Sequence, residues 1–178
     1  MNNADVCILI PTLNEAATIG ELIKDFKKEG FSNILVIDGN SRDGTAQIAE
    51  AEGARVVLQT GRGKGQAMIQ AFGLIECPYV IMVDGDGTYL AKEAPFLLRP
   101  VLEGTADHVI GNRLEKYSRG SFTKLNLVGN RLINTLFDTV YGVQLRDILS
   151  GYRAFTLGSI RELELNKTGF ETETEKSE

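Results

Sequence analysis

YVIMVDGDGTYL, residues 79–90, joins a run of apolar and aromatic residues, Tyr79 to Val83, to a turn that carries Asp84 and Asp86 around one glycine. The first part has strand length, is partly β-branched and has no polar face. The second part ends that strand by presenting two carboxylates on glycine-rich backbone. Reading outward, the same unit recurs upstream. VCILI (6–10), NILVI (33–37) and RVVLQ (55–59) are further strand candidates. Between them lie helical stretches. Residues 17–30 place Ile19, Leu22, Ile23 and Phe26 on one face and stop at Gly30. Residues 42–53 start near Asp43 and stop at Gly53, and 64–75 form the third. Strands that are apolar on both faces and alternate with helices predict an α/β architecture: a parallel sheet covered by helices on both sides.

Downstream of Leu90 the pattern changes. Residues 91–104 predict a helix begun at or just before Pro95, 107–111 a strand, 121–142 a long helix and 151–155 a short strand. The tail 171–178 is polar and expected to fray. The whole fits one domain, 1–178. With 178 residues, 43% apolar and 24% charged, a sizeable core is expected. A net charge of −5 argues against a nucleic-acid partner, which would call for a basic stripe. Cys7 and Cys77 are too few for a disulfide scaffold or a zinc site; they read as buried thiols in a reducing compartment, and His108 adds little as a ligand. No apolar run reaches the roughly 20 residues that span a bilayer, and no signal peptide is visible.

The polar residues fall at the carboxyl ends of the strands, where open parallel sheets bind ligands. PTLNE (11–15), DGNSRDGT (38–45), TGRGKGQ (60–66), DGDGT (84–88) and GNR (111–113) converge there. GRGKG, with Arg62 and Lys64, can wrap phosphates at a helix start, or is a plain glycine-rich turn. Its spacing is not that of a Walker loop, and the first turn lacks the dinucleotide glycines. In DGNSRDGT, Ser41 or Asp43 suits a helix N-cap. Asp38 directly follows a buried strand, where a carboxylate is costly unless something binds it; the N–H edge of a base would suit. Asp84 and Asp86 can offer oxygens to one hard divalent cation, or form a simple turn. Without a metal they would repel a nucleotide diphosphate.

IPTLNEAATI, VIDGNSRDGT, GRGKGQAMIQAF, MVDGDGTY, IGNRL and DILSGYRAF together resemble the family 2 glycosyltransferases, in order and with family-like spacing from about Val6 to Glu175. The nearest likeness is to the dolichyl-phosphate mannose or glucose synthase branch, including archaeal N-glycosylation enzymes. The resemblance implies a GT-A fold: a Rossmann-like, mostly parallel central sheet with helices on both faces, a nucleotide-binding half of about 1–90 and an acceptor half of about 91–170. It implies a nucleoside pocket lined by Pro11, Leu13, Glu15, Ile37 and Asp38. Asp84 and Asp86 become the metal pair for Mg2+ or Mn2+, with Asp86 the more direct ligand. Arg113 lies near sugar or diphosphate, Asp147 near the reaction centre, and Arg153 on a donor or acceptor phosphate. Glu171 falls where this branch often carries an acidic segment. Three departures stand out. Gly39 replaces a second acid, Leu13 an aromatic, and the chain stops at Glu178 where the family continues, so a C-terminal segment is expected to be lacking.

The expected activity is therefore metal-dependent, inverting transfer from a nucleotide sugar to a dolichyl or polyprenyl phosphate. Leu13 and Gly39 tilt the donor toward UDP over GDP. Asp147 is either a base or an orienter of Arg153. The helix at 121–141, with Phe122, Leu125, Leu127, Leu132, Ile133, Leu136 and Phe137, packs in the core or a dimer, or lies on a membrane. Lys116, Arg119, Lys124 and Arg131 accompany it. The expected place is the cytoplasm, at the cytoplasmic face of the membrane. Competing readings are a transferase with a soluble acceptor, a non-catalytic nucleotide-sugar binding module, and a sugar nucleotidyltransferase. The last should carry a longer glycine-rich loop after the first strand, which PTLNEAATIG lacks.

Overall fold

Alternation decides how each strand is used. Strand β1 (Val6–Thr12) turns Val6, Ile8 and Ile10 to one side and Cys7 and Leu9 to the other, and all are buried. β2 (Ile34–Asp38) does the same with Ile34 and Val36 against Leu35 and Ile37. A strand needs this double apolar face when helices cover it twice. These observations come from a computed structural model that describes residues 3–111 and 150–161. The expected helix at 121–142 and the candidates Arg113, Asp147 and Glu171 lie outside the described residues.

On the first face pack α1 (Ile19–Lys28), α2 (Thr45–Ala51) and α4 (Ala94–Leu102), through Ile19, Leu22, Ile23, Phe26, Ala49, Leu98 and Val101. On the second pack α3 (Lys64–Leu74) and α5 (Leu157–Arg161), through Ala67, Met68, Ala71, Phe72, Leu157 and Ile160. In α1 the apolar residues sit at the predicted i, i+3, i+4, i+7 spacing, so one stripe faces the sheet. Gly20 lets α1 lie against α2: a Cβ there would stand 3.1 Å from the Ile48 side chain.

Among the described residues the sheet has six strands in the order β3-β2-β1-β4-β6-β5, with β3 at Arg55–Leu58, β4 at Tyr79–Met82, β5 at His108–Ile110 and β6 at Arg153–Thr156. The β1–β2, β1–β4 and β2–β3 pairs are parallel, whereas β6 is antiparallel to both β4 and β5. The carboxyl ends of β1 to β5 and the start of β6 therefore share one rim.

Several expectations need correction. β3 is not buried on both faces; among the described residues it pairs only with β2, and Arg55 and Leu58 are exposed. The helix expected over 91–104 is entered just before Pro95 as predicted, at Ala94; its first three residues differ, forming a short 3-10 turn, Ala91–Glu93. Pro95 sits in its first turn, where a missing N–H costs nothing. α5 and the 3-10 turn Asn3–Asp5 lie outside the predicted elements. Cys7 is buried as expected, and burial pushes its thiol up to about 12; Cys77 is only half-buried and receives the Asn33 side-chain N–H at Sγ, 2.8 Å away. Among the described residues no helix is long and apolar enough to cross a membrane.

Candidate active site

The loop after β1 is built to meet the loop after β2. The register sets Pro11 beside Ile37 and Thr12 beside Asp38, so the two chains leave the sheet together. Asn14 and Asn40 then adopt positive φ, 58° and 64°, a conformation that asparagine tolerates better than most residues. The Asn14 N–H donates to Ser41 Oγ at 2.8 Å, and the Arg42 N–H returns to Asn14 Oδ1 at 3.0 Å. Glu15 N–H donates to Thr45 Oγ1 at 2.8 Å, and Ala16 N–H to Asp43 Oδ2 at 3.0 Å.

Asp43 also receives the Thr45 N–H at 3.1 Å, although the N-cap position of α2 is Gly44. The predicted capping thus comes from the residue before the cap. The bond from the Thr45 hydroxyl, followed by that from Ala16 N–H, holds the Asp43 carboxyl below the usual range.

Asp38 is fully buried. Its carboxylate accepts from Ser41 N–H at 2.8 Å, Ser41 Oγ at 2.6 Å and Thr12 Oγ1 at 3.3 Å. The buried charge finds its donors inside the chain, which satisfies it without a base. Ile37 belongs to the second-face core at 1% exposure. Of the five predicted nucleoside contacts, Leu13 is openly presented, at 59% exposure, while Pro11 and Glu15 are half-buried.

The carboxylate turn hangs from β4 beside these loops. Thr18 Oγ1 donates to the Gly85 carbonyl at 2.6 Å and pins the turn to the start of α1. Gly85 has no room for a side chain, since a Cβ would stand 2.8 Å from Thr12 Cγ2. Asp84 and Asp86 have different surroundings. Asp86 is exposed and accepts the Thr88 N–H at 2.9 Å. Asp84 is half-buried, with the Lys64 ammonium 3.0 Å from its Oδ1. The structure thus joins two predicted residues, Lys64 from the GRGKG stretch and Asp84 from DGDG. Arg153 is fully buried at the start of β6, and its Nε–H donates to the Ser150 carbonyl at 3.0 Å.

Burial raises the Glu15 carboxyl above its usual value, and the negative charges of Asp86, Asp43 and Asp84 raise it further. The rim is therefore a place of converging negative charge, and hard carboxylate oxygens suit Mg2+ or Mn2+. Among the described residues no group of three or more acidic, histidine or cysteine side chains forms a metal cage. The donor set fits a cation that fills most of its shell with water and diphosphate oxygens, as Mg2+ commonly does.

Thr18, Tyr89 and Ser150 tie this rim together and were not among the sequence candidates. Tyr89 and Tyr152 pack with ring centroids 5.1 Å apart. Beside them an open groove of about 280 Å³ is lined by Glu93, Phe96, Leu97, Val109, Gly111 and Tyr152. The signal for Tyr89 was its place, three residues after Asp86 in the stretch 79–90; its partner is remote in sequence.

Residues 7–163 match the family described as Glycosyl transferase family 2. Over 171 residues the chain is 54% identical to glycosyltransferase AglJ of Haloferax volcanii, covering 96% of this chain and 56% of AglJ. Over 172 residues it is 30% identical to the dolichyl-phosphate hexose transferase of the same organism, covering 95% of this chain and 74% of that protein. It superimposes with a TM-score of 0.72, at 25% identity, on glucosyl-3-phosphoglycerate synthase from Mycobacterium tuberculosis in complex with Mn2+ and uridine-diphosphate-glucose, covering 89% of this chain and 58% of that one. The chain thus spans little more than half the length of AglJ.

Proposed function

This chain belongs to the family 2 glycosyltransferases, and from that membership we propose that it moves a sugar from a nucleotide-sugar donor to a dolichyl or polyprenyl phosphate, inverting the anomeric carbon with the help of Mg2+ or Mn2+. The observation that carries the reading is the meeting of Lys64, Asp84 and the exposed Asp86 at the rim of the sheet, beside the laced loops that follow β1 and β2. The nucleoside lies on those two loops, over Pro11, Leu13 and Glu15, with Asp38 and Ile37 forming the floor beneath. UDP is the preferred donor nucleotide, supported by Leu13 and Gly39 and by the nucleotide in the M. tuberculosis enzyme.

A departing nucleoside diphosphate gains negative charge as the anomeric C–O bond breaks, and pre-placed positive groups are the strongest means of meeting it. Lys64 stands close enough to the carboxylate turn to serve the diphosphate once a donor binds. Asp86, with Asp84 beside it, would hold the divalent cation, which when bound supplies further positive charge to the diphosphate. Arg113 and Arg153 serve the sugar diphosphate or the acceptor phosphate. A phosphate acceptor is anionic at neutral pH and needs little general base, which leaves Asp147 to orient Arg153. The name of the 30% identical dolichyl-phosphate hexose transferase supports the lipid acceptor. A soluble phosphate acceptor is the second reading, favoured by the name of the M. tuberculosis structure. The proposed place of the reaction is the cytoplasmic face of the membrane, where nucleotide sugars and a lipid phosphate meet.

Calorimetric titration of UDP, GDP and their sugar conjugates, each with and without Mn2+, tests the reading. The expected result is metal-dependent binding of the uridine series. Asp86→Ala should remove the metal-dependent part and leave the melting temperature close to the parent's, because an exposed turn carries little core. Parent-like binding of nucleotide and metal by Asp86→Ala would overturn the metal assignment. Turnover is then compared with polyprenyl phosphate and with 3-phosphoglycerate as acceptors; transfer to the second alone refutes the lipid reading.

A further inference from the structure

Asp84 packs against a residue far away in sequence. Its carboxylate fills the space where a side chain at Gly151 would stand, so that a Cβ at 151 would overlap all three carboxyl atoms. Glycine is therefore required there for want of space. Gly151 lies two residues ahead of β6. The next residue is tied to the β5 side, where the Tyr152 carbonyl accepts the Gly111 N–H at 2.8 Å, and the Gly151 N–H itself turns the other way.

Tyr89 meets it there. Its hydroxyl accepts the Gly151 N–H at 2.7 Å and lies 3.3 Å from Ser150 Oγ, and all of these atoms are buried. The Tyr89 ring packs against Tyr152, whose hydroxyl donates to the Leu90 carbonyl at 3.2 Å. The carboxylate turn and the approach to β6 are thus fastened to each other in both directions. Asp84, packed against Gly151, in turn meets Lys64 at 3.0 Å.

We propose that Tyr89 is a positioning residue for Asp84: its hydroxyl fixes Gly151 beneath the carboxylate, and so sets where Asp84 and Lys64 meet the donor diphosphate. The second half of this statement rests on the function proposed above; the first half rests on the geometry alone. In this role Tyr89 acts through Asp84. A hydroxyl is the economical device here, because one atom caps a buried N–H and also sits on a neighbouring hydroxyl.

The test separates the two halves. Tyr89→Phe keeps the ring and its contact with Tyr152 and removes only the hydroxyl. Gly151→Ala displaces the carboxylate by steric overlap and serves as a second route to the same change. With 13C-labelled aspartate, and Asp84→Asn to assign the signal, both variants should shift the Asp84 carboxyl resonance, whereas Phe31→Leu, remote in the core, should leave it in place. An unmoved resonance in Tyr89→Phe overturns the proposal whatever the binding data say. In the second arm, Mn2+-dependent affinity for UDP should fall about tenfold in Tyr89→Phe and less than about twofold when the same change is made in an Asp84→Asn background, since groups that act through one another are not additive. Equal losses in both backgrounds would assign Tyr89 a structural part only and sink the positioning role. A parent chain that binds neither nucleotide would overturn the donor reading, and the resonance would then decide the Tyr89–Asp84 link by itself.

Discussion

At the scale of single residues, the rim is organised by short polar side chains that bind backbone N–H groups. Asp43 is the plainest case, with one carboxylate serving both the start of α2 and the loop after β1. Its folded pKa lies below the ordinary value of 3.8, first through the Thr45 hydroxyl. A depressed carboxylate contributes stability above its unfolded pKa and loses it as pH falls through the folded one. Asp43→Ala should therefore melt below the parent at neutral pH, and the gap should close as the pH drops below 3.8. Thermal melts of the two proteins across that range check this; a constant gap would mean that the bonds to Asp43 do not stabilise the ionised form. Some of this scale was legible in the sequence. Asp84, Asp86 and Lys64 could be picked out because charged residues at strand ends have few structural uses. The partners of Asp84 could not. That Gly151 lies under it, and that Tyr89 holds Gly151, depends on which loop folds against which, and no local spacing records this. The buried setting of Asp38 was legible from the strand it ends, but its donors were hidden, since they come partly from Thr12 on another strand.

At the scale of elements, apolar spacing carried most of the information. α1 was readable because Ile19, Leu22, Ile23 and Phe26 recur with helical period, and all are buried as that period requires. Phe26 is fully buried and meets Phe31 edge-on at 6.2 Å. Phe26→Ala should cost about 3–5 kcal/mol by leaving a cavity between α1 and the sheet. Urea unfolding would measure it, and a loss below about 1 kcal/mol would show that neighbours collapse into the space. Elements that were misjudged lack such a period. α5 spans only Leu157–Arg161, too short to repeat a pattern. β3 reads like a central strand because Val56 and Val57 are apolar, yet its exposure follows from its place in the sheet, which composition does not encode.

For the molecule as a whole, two apolar layers enclose a sheet whose middle is β1 and β4. Amide hydrogen exchange should be slowest in those two strands and faster in β3 and β5, the sheet's outer strands, because opening free energies rise toward the core. Comparable protection in β3 and β1 would contradict this ordering. The α/β class and the rim as binding side were both foreseeable from alternating runs and polar strand ends. The direction of β6 was not, since apolar runs specify a strand and leave its neighbours open.

That reversed strand has a consequence for how the chain comes into being on the ribosome. β4 is made early, but its outer neighbour, β6, begins only at Arg153, and among the described residues β5 pairs with β6 alone. During synthesis the first four strands can assemble while the free side of β4 waits, with Val80, Ile81 and Met82 beside an unfilled row of backbone donors and acceptors. An open apolar margin of this kind invites pairing with other chains, and pairings between distant segments close slowly. The arrival of RAFT therefore covers the open side of β4 and, at the same moment, ends the interval in which that margin is exposed to aggregation.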